Sequence, residues 1–185
     1  MKRVMTVCAV MSCFLVLGLP TARAEERVCR GSLGPITVDN LRVPDGANCR
    51  LNGTTVQGTI KVESNAALVA EDVRVIGNVQ AENARRVVVR AGSRVGGSVQ
   101  VVQGEAARVA RTNVNGDILF DENTAALAAI RNIVGGNVQA FQNTGGVEIR
   151  SNRIDGNLQC KENTPAPLGG GNIVQGNKED QCARL

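Results

Sequence analysis

The sequence predicts an all-β fold, a single-domain parallel β-solenoid (β-helix) of about seven coils of about 20 residues, with disulfide-clipped caps. A short motif centred on one glycine recurs seven times along the 185 residues. The residues around this glycine are β-branched and alternate with Gly, Asn and Ser, which is typical of short strands and turns. A unit of this length buries its apolar side chains only by stacking on its neighbours, so the repeat predicts a continuous apolar column.

Residues 1–24 are typical of a secretory signal peptide. Lys2 and Arg3 precede an apolar run that ends at Leu19, and a small-residue cleavage site follows at 22–24. A lipoprotein signal would use Cys13, but the apolar sequence continues past that cysteine and a cleaner cleavage site follows. The predicted destination is therefore the periplasm, the cell surface or the medium.

The charge balance changes when the predicted signal is removed. The chain carries 21 basic and 17 acidic residues, and Lys2, Arg3 and Arg23 lie in the signal, so the remainder has a net charge of about +1. This balance gives no electrostatic support for binding to nucleic acid or to an anionic membrane. No later segment approaches the roughly 18 apolar residues of a membrane span, so none is predicted.

Residues 25–50 are predicted to form the N-terminal cap. They lack the glycine repeat and contain Pro35, Pro44, Cys29 and Cys49. An uncapped coil would expose unpaired strand edges, and a non-repetitive segment at the end of a solenoid is expected to cover them.

Residues 51–160 contain most of the repeats. The aligned glycines are spaced by 19 or 20 residues: Gly58, Gly77, Gly97, Gly116, Gly136, Gly156 and, in the last coil, Gly176. In each V-x-G-x-V segment, alternation points Val, Gly and Val inward, and the glycine allows either close inner packing or a bend. The alanines of 123–130 are also compatible with a helix, but the fixed period argues for strands.

A second set of residues recurs near the corner after each motif. Asn65, Asn123, Asn143 and Asn163 lie seven residues after a glycine, and Asn83 lies one residue earlier in its repeat. Asn at recurrent corners suits left-handed turns, and identical Asn side chains on successive coils are expected to form a ladder of amide hydrogen bonds.

These repeats carry a resemblance to a known fold. Their pattern resembles that of right-handed parallel β-helix proteins. It consists of V-x-G-N-V-Q, an irregular stretch and V-x-I, after which V-x-G-N begins the next repeat. The short rungs are similar to those of bactofilins, cytoskeletal proteins that polymerise end to end. The resemblance covers about residues 51–180 and implies a fold more than a function. The predicted export signal and paired cysteines differ from bactofilins.

Residues 161–185 are predicted to form the last coil and the C-terminal cap. Cys160 and Cys182 frame them, and the four cysteines outside the signal allow three disulfide connectivities. If the two caps lie at opposite ends of the rod, bridges between them are impossible, because bridged Cα atoms lie within about 7 Å. We therefore predict the pairs Cys29–Cys49 and Cys160–Cys182, and no metal site.

The outward positions of the strands are the candidate functional residues. They form an amide-rich and mostly uncharged surface, which we call the amide face: Asn78, Gln80, Ser98, Gln100, Asp117, Asn137, Gln139, Asn157 and Gln159. Amide groups donate and accept hydrogen bonds, so this face could bind a glycan, a cell-wall polymer, ice or another copy of the chain. An ordinary solvated sheet face is the alternative.

Catalytic signatures are missing from the sequence. There is no His, so Ser-His and Cys-His nucleophile pairs are excluded. Carboxylates at Asp117, Asp155, Asp121 and Glu122 form no recognisable motif, and no cofactor motif is present. A small basic cluster comprises Arg85, Arg86, Arg90 and Arg94, with Arg108 and Arg111 one coil further on. A solvated face explains this cluster, and docking of an anionic polymer is the alternative.

Together these observations predict an exported structural or surface-interaction solenoid without catalytic activity or cofactor. The main alternative is a module that binds a glycan or cell-wall polymer through the amide face. A polysaccharide-acting enzyme and an ice-binding protein are further alternatives, although the regular Thr-x-Thr ladder of many ice-binding solenoids is missing.

Overall fold

A computed structural model describes residues 25–185 as a stack of parallel coils. The predicted secretory signal, residues 1–24, and its cysteines Cys8 and Cys13 lie outside the described residues. Each coil contributes one strand to each of three parallel sheets, which contain nine, eight and eight strands. The prediction of an all-β parallel solenoid is confirmed.

Sheet A contains the longest column of strands, and most of its strands follow a motif glycine. In chain order its strands are β1 (Glu26–Val28), β4 (Asn40–Val43), β7 (Ile60–Val62), β10 (Val79–Glu82), β13 (Val99–Val102), β16 (Ile118–Asp121), β19 (Val138–Phe141), β22 (Leu158–Lys161) and β25 (Lys178–Asp180).

Sheet B follows sheet A in each coil, after a sharp corner. Its strands are β2 (Ser32–Leu33), β5 (Asn48–Asn52), β8 (Ala67–Glu71), β11 (Arg86–Arg90), β14 (Ala106–Ala110), β17 (Leu127–Ile130), β20 (Val147–Arg150) and β23 (Leu168–Gly170).

Sheet C closes each coil with two-residue strands. These are β3 (Thr37–Val38), β6 (Thr55–Val56), β9 (Arg74–Val75), β12 (Arg94–Val95), β15 (Asn113–Val114), β18 (Ile133–Val134), β21 (Arg153–Ile154) and β24 (Ile173–Val174).

The core is the column of inward side chains inside the three sheets. Residues 19 or 20 positions apart pair directly, for example Val79 with Ile60 on one side and Val99 on the other. Val, Ile, Leu and Ala fill most of the column, and Phe120 is its largest fully buried side chain. Each coil thus buries its apolar residues on like residues of the next coil, as the repeat predicts.

The glycine motif lies at a corner, which is the bend that the sequence left open as one role of the glycine. Val75 ends β9 in sheet C, and Val79 begins β10 in sheet A, so Gly77 lies between two sheets. Its backbone N–H donates to the carbonyl of Gly58 at 2.9 Å. A Cβ at Gly77 would lie 2.7 Å from that carbonyl oxygen, and this close stacking explains why the corner requires glycine.

The two predicted disulfides are present, one near each end of the stack. Their Cα atoms are 5.5 Å apart in Cys29–Cys49 and 5.2 Å apart in Cys160–Cys182. Strands β1 to β4, within the range assigned to the N-terminal cap, already pair in the same sheets as the repeats. At the other end Leu185 packs against the core. Within residues 25–185 no helix has the length and hydropathy of a membrane span.

Candidate functional site

The amide face divides into two columns with different environments. The glutamines lie within sheet A strands and point outward. Gln139 Nε2 donates to Gln159 Oε1 at 2.8 Å, and Gln159 Nε2 donates to Glu179 Oε2 at 2.7 Å. Gln80 Nε2 donates more weakly to Gln100 Oε1, at 3.4 Å. Each amide in this glutamine column retains further donor and acceptor capacity for a ligand.

The second column of the amide face is half-buried at the corner between sheets C and A. Its side-chain oxygens each accept the backbone N–H of the equivalent residue one coil further on. Ser98 N–H donates to Asn78 Oδ1 at 2.8 Å, and Asn157 N–H donates to Asn137 Oδ1 at 2.8 Å. The bonded residues run without interruption through Asn40, Thr59, Asn78, Ser98, Asp117, Asn137, Asn157 and Asn177.

This corner ladder explains the recurring residue type. Asn, Ser, Thr and Asp all carry a short side-chain oxygen that reaches the next backbone N–H, as they do in Asx and ST turns. Asp117 also accepts a bond from the side-chain Nδ2 of Asn137, at 3.1 Å. The column therefore stabilises the stack, and the outward amides available to a ligand are chiefly the glutamines.

A second ladder of asparagines is fully buried at the corner between sheets A and B. Asn123 Nδ2 donates to Asn143 Oδ1 at 3.0 Å, and Asn143 Nδ2 donates to Asn163 Oδ1 at 2.8 Å. Gln181 ends this ladder by accepting from Asn163 Nδ2 at 3.1 Å. The amide ladder expected from the sequence is present at these three asparagines.

Asn65 and Asn83 play a different role from the buried asparagines. Both are exposed and have positive φ angles, 55° and 53°. In later coils this left-handed position is occupied by Gln103, Glu122, Gln142 and Glu162. Asn65 and Asn83 therefore form the turn and do not extend the ladder.

A third ladder, at the corner between sheets B and C, was not anticipated from the sequence. Asn132 Nδ2 donates to Asn152 Oδ1, and Asn152 Nδ2 donates to Asn172 Oδ1, both at 3.0 Å. The sequence does contain a pattern that indicates this ladder, because these asparagines also recur every 20 residues. Ser93 and Thr112 occupy equivalent buried positions in earlier coils, and this change of residue type hides the pattern.

Sheet A has a second outward column, which includes Asp121. Asp121 lies between Val102 and Phe141 on the neighbouring strands. Partial burial, followed by the negative charge of Glu122, raises the pKa of Asp121 above its usual value. Asp121 lines a shallow depression together with Glu162, and Phe141, Gln142 and Lys161 complete its lining.

The other carboxylates considered as catalytic candidates bond to neighbouring coils. Asp117 belongs to the corner ladder, and Asp155 Oδ1 accepts from Gln175 Nε2 at 3.1 Å. Glu122 Oε2 accepts from Gln103 Nε2 at 2.8 Å. Residues 25–185 contain no cluster of three or more His, Cys, Asp or Glu side chains arranged to hold a metal ion.

The predicted arginine cluster spreads over more than one face. Arg85 precedes sheet B and its guanidinium donates to Asn48 Oδ1 at 2.9 Å, whereas Arg94 lies on sheet C. Arg90, at the end of β11, donates from Nε to Glu71 Oε1 at 2.6 Å. Arg86 and Arg108 point outward from sheet B, and Arg111 lies at the adjoining corner. The sequence interpretation missed Arg131 and Arg150, which follow in the next coils on the same side.

Comparisons with known proteins give no relative from which a function could be transferred. No protein-family description matches the chain, and neither the curated proteins nor the solved structures contain a significant match.

Proposed function

We propose that this chain is an exported, non-catalytic β-solenoid that works as a structural or surface-interaction element. One observation carries the proposal: three side-chain ladders follow the corners of the coils and use their polar groups for internal hydrogen bonds. Such ladders, added to the sheet hydrogen bonds and the end disulfides, favour a rigid rod that displays side chains at a spacing of about 4.8 Å per coil. Paired disulfides agree with an oxidising destination.

End-to-end association is the more specific structural hypothesis. In each sheet the first and last strands have only one hydrogen-bonded neighbour among the described residues, which leaves edges at β1 to β3 and at β23 to β25. Ile173 in β24 is 62% exposed at the C-terminal edge. Unpaired edges are templates for pairing with another chain.

The test is the mass of the oxidised protein, recovered after export, by size-exclusion chromatography with light scattering and by negative-stain imaging. We expect filaments or a defined oligomer that grows with concentration. Ile173→Lys should weaken this assembly, because lysine on an edge strand disfavours pairing. Ile133→Lys is the matched control, since Ile133 is also exposed on sheet C but lies in the middle of the stack.

A strict monomer at all concentrations would contradict end-to-end assembly. Equal loss of assembly in both variants would instead place the contact on the side of the rod. Release of products from a polysaccharide library would contradict the non-catalytic part of the proposal.

The second candidate is a glycan or cell-wall polymer module that uses the glutamine column. It is supported by the half-exposed amides of Gln139 and Gln159, which repeat along the rod. Retention of the protein on insoluble cell-wall material, lost in Gln139→Ala/Gln159→Ala, would favour it. Retention that is unchanged in this variant would remove the glutamine column as the binding site.

A further inference from the structure

The charges of the solenoid are segregated by side although their total is nearly balanced. Sheets B and C and the corner between them carry ten arginines against three carboxylates, Glu71, Asp72 and Glu148. We call this surface the arginine face: Arg50, Arg74, Arg86, Arg90, Arg94, Arg108, Arg111, Arg131, Arg150 and Arg153. Sheet A and its flanking corners carry most of the acidic residues. A small net charge therefore does not describe the field that a ligand meets at the arginine face.

The arginine face contains an indentation at its centre. A depression of about 210 Å³ lies over Ala110 and Ile130, and its rim is formed by Arg90, Arg108, Arg111 and Arg131. Only Arg90 forms an ion pair with a described residue, Glu71. Three guanidinium groups therefore surround the depression without a carboxylate among the described residues to neutralise them.

A shallow groove on sheet B adjoins this depression. It has a volume of about 580 Å³, and its apolar lining includes the small residues Ala106, Ala128 and Gly146 and the larger residues Val88 and Leu168. Arg86, Arg108 and Arg150 lie along it, so Arg108 borders both the groove and the depression. Glu148 is the one acidic residue that lines the groove, and its Oε1 lies 2.8 Å from an Nη of Arg150. The groove runs across several coils, along the axis of the stack.

We propose that the arginine face binds an extended anionic polysaccharide whose sugars carry carboxylates, with the chain lying in the sheet B groove and its acid groups on Arg108, Arg111 and Arg131. This inference rests on the proposed function as a non-catalytic surface-interaction protein. Guanidinium and carboxylate groups match in a bidentate geometry, which gives charge-assisted hydrogen bonds. The alanine and glycine positions of the lining leave room for sugar rings beside the apolar side chains, and the coil spacing of about 4.8 Å is near the length of one sugar in an extended chain.

The same surface fits a nucleic acid less well. Binding of single strands depends on aromatic side chains that stack with bases. The described chain has only Phe120 and Phe141 as aromatics, the first buried in the core and the second on sheet A. The arginine face thus offers charge and a smooth groove without stacking partners.

The test measures binding of polygalacturonate to the full chain expressed in a secreting host and purified with its disulfides oxidised. Dextran serves as the neutral polymer, and polyphosphate and single-stranded DNA serve as other anions. We expect calorimetric binding of polygalacturonate that weakens with added salt, and no binding of dextran. Arg108→Gln/Arg111→Gln/Arg131→Gln should raise the Kd for polygalacturonate at least tenfold.

A variant of equal charge change controls for general electrostatics. Arg27→Gln/Arg30→Gln/Arg184→Gln removes three exposed arginines away from the arginine face and should change the Kd less than threefold. All substituted residues are exposed, so the thermal midpoints of both variants should stay near that of the wild type. The assignment would be overturned if both variants weakened polygalacturonate binding equally. It would also be overturned if the wild type bound polyphosphate and DNA as tightly as polygalacturonate. A change in oligomer mass without a change in polygalacturonate affinity would make the face a self-contact and would also overturn it.

The experiment distinguishes a failure of polysaccharide binding at the arginine face from a failure of the proposed non-catalytic function. Loss of polygalacturonate binding leaves a non-catalytic structural solenoid unaffected. New reducing ends in the polygalacturonate samples would contradict the non-catalytic function, whatever the affinity.

Discussion

Single buried amides connect successive coils at the corners. The side chains of Asn123 and Asn143 are completely buried, yet each of their polar atoms has a partner. Asn143 Oδ1 accepts both the backbone N–H of Asn123, at 2.9 Å, and its Nδ2, at 3.0 Å. Asn143 Nδ2 in turn donates to Phe120 O and Asn163 Oδ1. One amide therefore joins three coils, and its removal leaves several buried groups without partners.

We expect Asn143→Ala to lower the free energy of unfolding by about 2 to 4 kcal/mol, because the buried backbone N–H of Asn123 and one N–H of its side-chain amide lose their acceptor. Urea unfolding followed by circular dichroism measures the change. Thr144→Ala is the control, since Thr144 is exposed next to the ladder and only its backbone N–H is hydrogen-bonded. Equal midpoints for wild type and Asn143→Ala would show that the amide ladder contributes nothing net to stability.

Ionisation of the Asp121 side chain opposes folding. Burial and Glu122 raise its pKa, so the folded state favours the protonated carboxyl more than the unfolded state does. The stability that protonated Asp121 contributes is therefore fully present at a pH below the pKa of Asp121 in the unfolded chain. It is lost as the pH rises through the pKa of Asp121 in the folded protein.

The expected consequence is that Asp121→Asn stabilises the protein at neutral pH and not in acid. Because Asp121 is only partly buried, the gain at pH 7 should be small, about 1 °C in the thermal midpoint. Differential scanning calorimetry at pH 7 and pH 3 measures it, and the two proteins should converge at pH 3. Glu122→Gln should give a smaller change of the same sign, since Glu122 is the second cause of the shift. A thermal midpoint of Asp121→Asn below that of the wild type at pH 7 would show that the ionised Asp121 side chain stabilises the folded state.

The sequence predicts some residue roles and not others, for geometric reasons. Regular spacing is sufficient to identify Asn123, Asn143 and Asn163 as a ladder, because the register of parallel coils follows directly from the period. Spacing is not sufficient to distinguish Asn65, which adopts a positive φ and turns the chain. A shift of one position along the chain decides whether an asparagine side chain joins the buried ladder or points into solvent. Because the repeat length varies between 19 and 20 residues, the spacing alone does not reveal this shift.

At the scale of elements, the corners are the parts that strand alternation does not describe. Gly77 separates a strand of sheet C from one of sheet A, whereas alternation alone treats V-x-G-x-V as one strand. Residues of the amide face therefore differ in environment according to whether they lie at a corner or within a strand. Asn78 and Gln80 are two residues apart, but the first accepts a backbone bond at a corner and the second points outward from a strand.

The disulfides are the elements that hold the end coils. Cys160 lies in β22, and Cys182 follows β25, so the bond fastens the last sheet A strand to the preceding coil. Cys160→Ala/Cys182→Ala should lower the free energy of unfolding by about 3 kcal/mol in the loop-entropy model. Urea unfolding should show a lower midpoint, and Cys29→Ala/Cys49→Ala should behave similarly because its loop is of similar length. An unchanged midpoint in the first variant would mean that Leu185 and the Gln181 bonds hold the end coil without the covalent link.

At the scale of the whole molecule, stability should vary along the axis of the stack. Each coil contacts chiefly its two neighbours, so the total stability is approximately a sum of coil terms and coil-to-coil interfaces. Central coils have two interfaces, and the end coils have one among the described residues. The buried asparagine ladders also begin only at Asn123 and Asn132, which adds bonds to the C-terminal half.

Hydrogen exchange measured by mass spectrometry should therefore give a graded profile. We expect the slowest exchange in β13 to β22, intermediate rates in β7 to β12, and the fastest exchange in β1 to β3 and in β23 to β25, which have one paired neighbour. Reduction of the disulfides should speed exchange in the end strands by a larger factor than in β16 and β19, because the covalent links lie near the ends. The untreated, oxidised protein at the same pH is the control. Exchange at one common rate in every strand would mean that the stack opens as one cooperative unit, and the additive description of the coils would then be wrong.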